Sequence, residues 1–132
     1  MLLIGDGPEK EKIEAKLKKF NLDNHYMILS NRNDIPDLLN AMDVFVFPSL
    51  YEGLGISLIE AQKMKLPCFV SEMIPEAAII SNLVTKLPLD NDYKKWGDRI
   101  LGAKKPDKII LNDEAWDIKK VISKLEKIYS EK

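Results

Sequence analysis

Two glutamates, Glu52 and Glu60, stand eight positions apart in the stretch YEGLGISLIEA (Tyr51–Ala61). An apolar run, VFVFPS, precedes them, and a helical pattern opens at the second of the two glycines, Gly53 and Gly55. The first N–H groups of a helix have no partners inside it, and the helix dipole favours anions at that end. Glycines there leave the N–H groups of residues 53–56 open, so the mouth suits a phosphate or pyrophosphate without any lysine. Glu60 is about six residues inside the helix, ~9 Å along its axis at 1.5 Å per residue, on the face of Ile56. A carboxylate at that distance can accept both hydroxyls of a ribose diol. Glu52 falls on the other side of the anion, where the sugar of a nucleotide-sugar would project. A plainer reading stays open: Glu52 as an exposed charge complementing the dipole, and Glu60 as a solvated or lysine-paired helix residue.

Alternating elements must position these groups. Met1–Ile4 is a short apolar strand ended by GDGP, and a helix follows with Ile13, Leu17 and Phe20 on one stripe and Asn21 as its stop. Tyr26–Leu29 is the second strand. After the loop SNRND, Asp34 is placed to cap a short helix through Leu39. Asp43–Phe47, Cys68–Val70 and Val84–Leu87 read as further strands, and Gly55–Met64 and Tyr93–Leu101 as helices. A last helix is expected from about Asp113 to Tyr129, with Ile118, Val121, Ile122, Leu125 and Ile128 on one stripe. Strands apolar on both faces, alternating with helices, predict a Rossmann-like three-layer α/β/α fold with an open, mostly parallel sheet. In such sheets ligands collect beyond the carboxyl ends of the strands, which selects GDGP, SNRND and PSLYEGLG. GDGP is a fragment of a dinucleotide fingerprint, since Lys10 stands where a small residue is needed, and a tight strand-to-helix turn explains it equally well.

Composition narrows the field. A chain of 132 residues suffices for one domain, residues 1–132, with a core of its own. The net charge of −1 gives no basic field for nucleic acid. The one histidine, His25, and the one cysteine, Cys68, cannot make a structural zinc site. Cys68 lies in the apolar run LPCFVS and reads as a buried core thiol in a reducing compartment. No apolar run approaches a membrane span.

The motifs also resemble a known family. Glu52 and Glu60, with EGLGISLIEA between them, match the E-x7-E motif of retaining glycosyltransferases of family 4, which have the GT-B fold. LLIGDGP, DIPDLLNAMDVFVFPSLYEG and LPCFVSEMIPE fall in the same order and spacing. The tail WDI…ISKLEKIY resembles the exopolysaccharide and capsular-polysaccharide branch. The resemblance covers nearly the whole chain and implies the second, donor-binding domain of a two-domain enzyme. It implies Glu52 at the donor hexose and reacting end, as the catalytic candidate, and Glu60 on the ribose hydroxyls. Backbone N–H groups of Gly53, Leu54, Gly55 and Ile56 would hold the distal phosphate. Asn31, Arg32, Asn33 and Ile35 would lie along the nucleobase, and Gly5 and Gly7 would line the cleft.

By that resemblance the donor is a nucleotide-sugar, with UDP the commonest nucleotide, and neither a cofactor nor a metal is expected. The first domain, which supplies the acceptor site and a cleft histidine, would have to come in cis or in trans. His25 does not replace that histidine by position. An Arg and a Lys that usually precede LLIGDGP are not in this sequence, so the chain alone is expected to be inactive. The resemblance further implies a cytoplasmic location, with any membrane contact peripheral and made through the absent domain. Two positions depart from the family: Met64–Lys65–Leu66 stands where a glycine commonly precedes the proline, and Met73–Ile74 where a Gly-Gly pair is common. A competing reading is a non-catalytic module or split subunit, using Trp96, Trp116 and the last helix as an interface.

Overall fold

The structure, a computed structural model, describes residues 1–130. The chain divides into two compact units, Met1–Ile35 and Pro36–Lys132. In the first unit, β1 (Leu2–Ile4) pairs in parallel with β2 (Met27–Leu29), and α1 (Lys10–Lys19) connects them. Asn21 stops α1 as expected. It takes the left-handed conformation at φ 55°, while Leu22 N–H donates back to Leu17 C=O.

The second unit holds β3 (Phe45–Phe47), β4 (Cys68–Ser71) and β5 (Val84–Leu87), all parallel in the order β3-β4-β5. Helix α2 (Ile35–Asn40) opens at the boundary of the units, and α3 (Ile56–Lys63) and α4 (Tyr93–Leu101) follow. The fold is therefore α/β with parallel sheets, as the alternation of elements predicts. Burial on both faces, expected for every strand, is complete only in the central β4. One face of that sheet carries Phe45 and Phe47, with α3 against β3 and β4. On the other, Phe69, Leu87 and Trp96 form a cluster edged by Val44, Leu89, Ile100 and Ala103. Each such side chain contributes about 1.5–3 kcal/mol by leaving water. Trp96 is a core residue and not an interface residue: it is 9% exposed, and its ring N–H donates to Pro88 C=O at 2.9 Å.

Three details differ from the sequence-based expectation. The final helix is broken in two, a 3-10 turn at Glu114–Trp116 and α5 (Ile118–Ser130). Asp117 causes the break, because its carboxylate accepts from the N–H groups of Lys119 and Lys120, which requires its own extended backbone. The stripe on α5 is not buried either: Ile118 is 68% and Ile128 59% exposed, and Val121 is half-buried. The segment between α4 and the 3-10 turn contains unforeseen pairing, with Leu111 joined to Ser81 in an antiparallel bridge.

The Met64–Lys65–Leu66 departure has a backbone consequence. Lys65 closes α3 in the left-handed conformation at φ 59°, with Leu66 N–H donating to Ala61 C=O and Lys65 N–H to Gln62 C=O. A side chain there is strained, and glycine is not. Lys65→Gly is expected to stabilise the fold by about 1 kcal/mol in urea denaturation. Cys68 is fully buried, and burial pushes its thiol from 9.0 up to about 12. The unfolded chain ionises near 9 and the folded chain near 12, so this contribution to stability is full below pH 9 and lost between the two. The stability difference between the wild type and Cys68→Ala should shrink as pH rises from about 8 to 11 in paired urea titrations.

Candidate functional site

In the first unit the site residues follow the carboxyl ends of β1 and β2. Gly5 takes φ +155°, a conformation side chains rarely adopt, and its N–H donates to Leu29 C=O at 2.9 Å. Its C=O accepts from Ser30 Oγ, which in turn accepts from Lys10 Nζ at 3.2 Å. Lys10, which marks the failed fingerprint, thus reaches the loop after β2. It also borders a cavity of about 370 Å³ lined by Leu3, Ile4, Gly5, Gly7 and Ile13. Asn31 turns the SNRND loop with φ 53°, and Asn31, Arg32 and Asn33 are exposed. Asp34 does not serve as the expected helix cap. Both its oxygens accept from Arg32, Nε to Oδ1 at 2.8 Å and Nη2 to Oδ2. That pairing lowers the Asp34 carboxyl pKa and raises that of Arg32. Ile35 begins α2, half-buried.

In the second unit, Glu52, Gly53, Leu54, Gly55, Ile56 and Glu60 are brought together on the loop after β3 and the first turns of α3. Gly55 is the N-cap residue, left-handed at φ 74° and ψ 48°. A Cβ there would lie 3.6 Å from Ala78 Cβ and 3.8 Å from the Phe47 ring, so space allows it and backbone strain does not. Gly53 has neither constraint: φ is not positive and a Cβ would meet open space. No side chain caps α3, and among the described residues Ile56 and Ser57 N–H have no hydrogen-bond partner. The bare helix mouth expected from the glycines is present. The helix begins at Ile56, so Glu60 lies ~6 Å along the axis from it, closer than the ~9 Å read from the sequence.

The two glutamates are held differently. Glu60 is exposed beside exposed Ile56, on the face opposite buried Leu58, Ile59 and Gln62, and has no ion-pair partner among the described residues. Glu52 is half-buried and accepts from Ser49 Oγ at 2.8 Å. Sequence reasoning missed Ser49, Ser71 and Gln62. Gln62 is fully buried, and its amide is fully used. Nε2 donates to Leu58 C=O and to Ala78 C=O, at 3.1 and 2.7 Å. Oε1 accepts from Ile80 N–H at 2.9 Å and Ser81 Oγ at 3.0 Å. Only its place beside Leu58 and Ile59 on the apolar face of α3 could have signalled it.

Parallel strands alternating with helices define the class, an open α/β domain with an uncapped helix mouth after β3. The chain belongs to the glycosyl transferases group 1 family, whose sequence profile matches residues 1–109. It is 39% identical over 104 residues to EpsF of Bacillus subtilis (strain 168), whose name assigns it to the glycosyltransferases; the match covers 78% of this chain and 27% of EpsF. It is 38% identical over 82 residues to the UDP-Gal:alpha-D-GlcNAc-diphosphoundecaprenol alpha-1,3-galactosyltransferase of Escherichia coli, covering 61% of this chain and 21% of that one. Among solved structures, WaaG, a glycosyltransferase involved in lipopolysaccharide biosynthesis, shares the fold at a TM-score of 0.64 and 22% identity, over 75% of this chain and 27% of WaaG. The chain spans about a quarter of the length of these proteins.

Gln62→Leu tests what holds α3 to the segment Ala78–Ser81. It leaves Ile80 N–H and Ala78 C=O buried without partners, at about 1–3 kcal/mol each. The expected result is a loss of at least ~2 kcal/mol in urea denaturation.

Proposed function

We propose that this chain is the donor-binding part of a retaining glycosyltransferase that moves a sugar from a nucleoside diphosphate, UDP by preference, to a hydroxyl acceptor in polysaccharide synthesis. The observation that carries this reading is the uncapped N-terminus of α3 at left-handed Gly55, with Glu52 before it and Glu60 inside it. Family membership supports a transferase, and the name of the Escherichia coli relative supports UDP. In this reading the N–H groups from Gly53 to Ile56 receive the distal phosphate. Glu60 accepts from the ribose hydroxyls, and Glu52 contacts the hexose.

Transfer breaks the bond between the sugar C1 and the diphosphate oxygen, and the electron pair stays on the leaving diphosphate. The acceptor oxygen forms the new bond on the same face of the sugar and gives up its proton to the leaving diphosphate. The helix mouth stabilises the charge that builds on the leaving group. No metal is required in this scheme, and the acceptor-side domain comes from elsewhere in the same protein or from a partner. The site works in the cytoplasm, and any membrane contact is peripheral, made through that acceptor-side domain. Among the described residues no helix is long and apolar enough to cross a membrane.

One observation favours a second reading, a subunit that works through a partner chain. The apolar stripe Ile118, Ile122, Leu125 and Ile128 on α5 is exposed, which a partner surface would explain.

Calorimetric titration with UDP, GDP, ADP and UDP-galactose, with a chelator present, tests the donor reading. Glu60→Ala is expected to weaken binding of the preferred nucleotide about tenfold, ~1.4 kcal/mol. Unchanged affinity removes the ribose role. Glu52→Ala should weaken UDP-galactose more than UDP, and equal losses would sink the hexose role.

A further inference from the structure

We propose that Ser49 is a positioning residue for Glu52, and that Ser71 fixes Ser49 for that task. The inference rests on the donor-site reading and adds to it two residues that touch no ligand. The chain leaves β3 at Phe47 and reaches Gly55 through a loop with no helix or strand to hold it. Glu52 sits in that loop on a side chain with several rotatable bonds, and such a carboxylate samples many positions unless something binds it.

Ser49 Oγ lies 2.8 Å from Glu52 Oε1 and 3.0 Å from Tyr51 C=O. A hydroxyl has one proton to donate. The carboxylate is charged and nearer, and hydrogen bonds to charged acceptors are the stronger ones. Ser49 therefore donates chiefly to Oε1, which leaves Oε2 without a protein partner among the described residues. One oxygen is anchored and the other is presented.

Ser49 is itself held from the neighbouring strand. Ser71, the last residue of β4, is fully buried, and its Oγ donates to Ser49 C=O at 2.6 Å. The same oxygen accepts from Met73 N–H at 3.1 Å. Ser71 thus ties the loop after β3 to the loop after β4. The path from the buried sheet to the carboxylate is Ser71 Oγ, Ser49 backbone, Ser49 Oγ, Glu52 Oε1.

A purely local role for Ser49, closing a turn onto Tyr51 C=O, makes a different prediction, and two measurements on Ser49→Ala and Ser49→Thr separate them. The first needs no ligand: three-bond NMR couplings report how many side-chain rotamers Glu52 populates. Positioning predicts one dominant rotamer in the wild type, averaging in Ser49→Ala, and return to one in Ser49→Thr. Couplings unchanged in Ser49→Ala overturn the proposal. The second compares UDP-galactose with UDP. Ser49→Ala should weaken UDP-galactose about fivefold or more and leave UDP unchanged. Combined with Glu52→Ala it should add nothing further, because the group it positions is gone. Equal weakening of both ligands, or a full additional loss in the double variant, overturns it. If the wild type binds none of the nucleotides, the donor-site reading falls, while the couplings still decide whether Ser49 holds Glu52. Ser71→Ala should reproduce the Ser49→Ala couplings; if it fails to fold, Ser71→Thr, which keeps the hydroxyl, should leave them as in the wild type.

Discussion

Much of the second unit depends on one buried amide. Gln62 uses both donors and both acceptors of its side chain, joining α3 to the segment Ala78–Ser81 with no polar atom left over. A buried polar group is tolerated only when satisfied, so this network specifies a single docking of helix against loop. That docking brings Ala78 beside Gly55, at the point where the chain must turn left-handed to begin α3. The uncapped N–H groups are therefore aimed by a residue more than a helical turn away from them.

Around that mouth the two carboxylates have opposite surroundings. Glu60 projects from the exposed face of α3, and among the described residues nothing binds its carboxylate. Glu52 lies on a loop, and its direction depends on a hydroxyl that is itself fixed by a neighbouring strand. Membership of the glycosyl transferases group 1 family gives these positions a chemical context, and the chain covers only about a quarter of the length of the relatives it matches. Donor binding is the chemistry we propose for the grouped residues.

Legibility in the sequence followed the range of the interactions. Val84–Leu87 and Tyr93–Leu101 are strand and helix as read, because β-branched and apolar runs act over a few residues, as does Asp92, whose side chain accepts from Lys95 N–H at the start of the helix. Asn21 was readable as a stop for the same reason. The final helix was misread at Asp117, where a mid-pattern aspartate is as good a cap as a surface charge, and the pattern could not choose. Asp34 failed as a cap because Arg32, two residues before it, offers a charged fork that outcompetes a backbone N–H.

By itself the sequence determined the α/β class, the order of the elements, the glycine at the mouth of α3 and the two glutamates that flank it. All of these rest on periodicity, turn chemistry and spacing along the chain. Tertiary structure alone decided that β4 is the strand buried on both sides, that the stripe on α5 is exposed, and that Ser49, Ser71 and Gln62 support the site. Gln62 and Ser71 act through hydrogen bonds to residues 16 to 22 positions away, which no local pattern encodes.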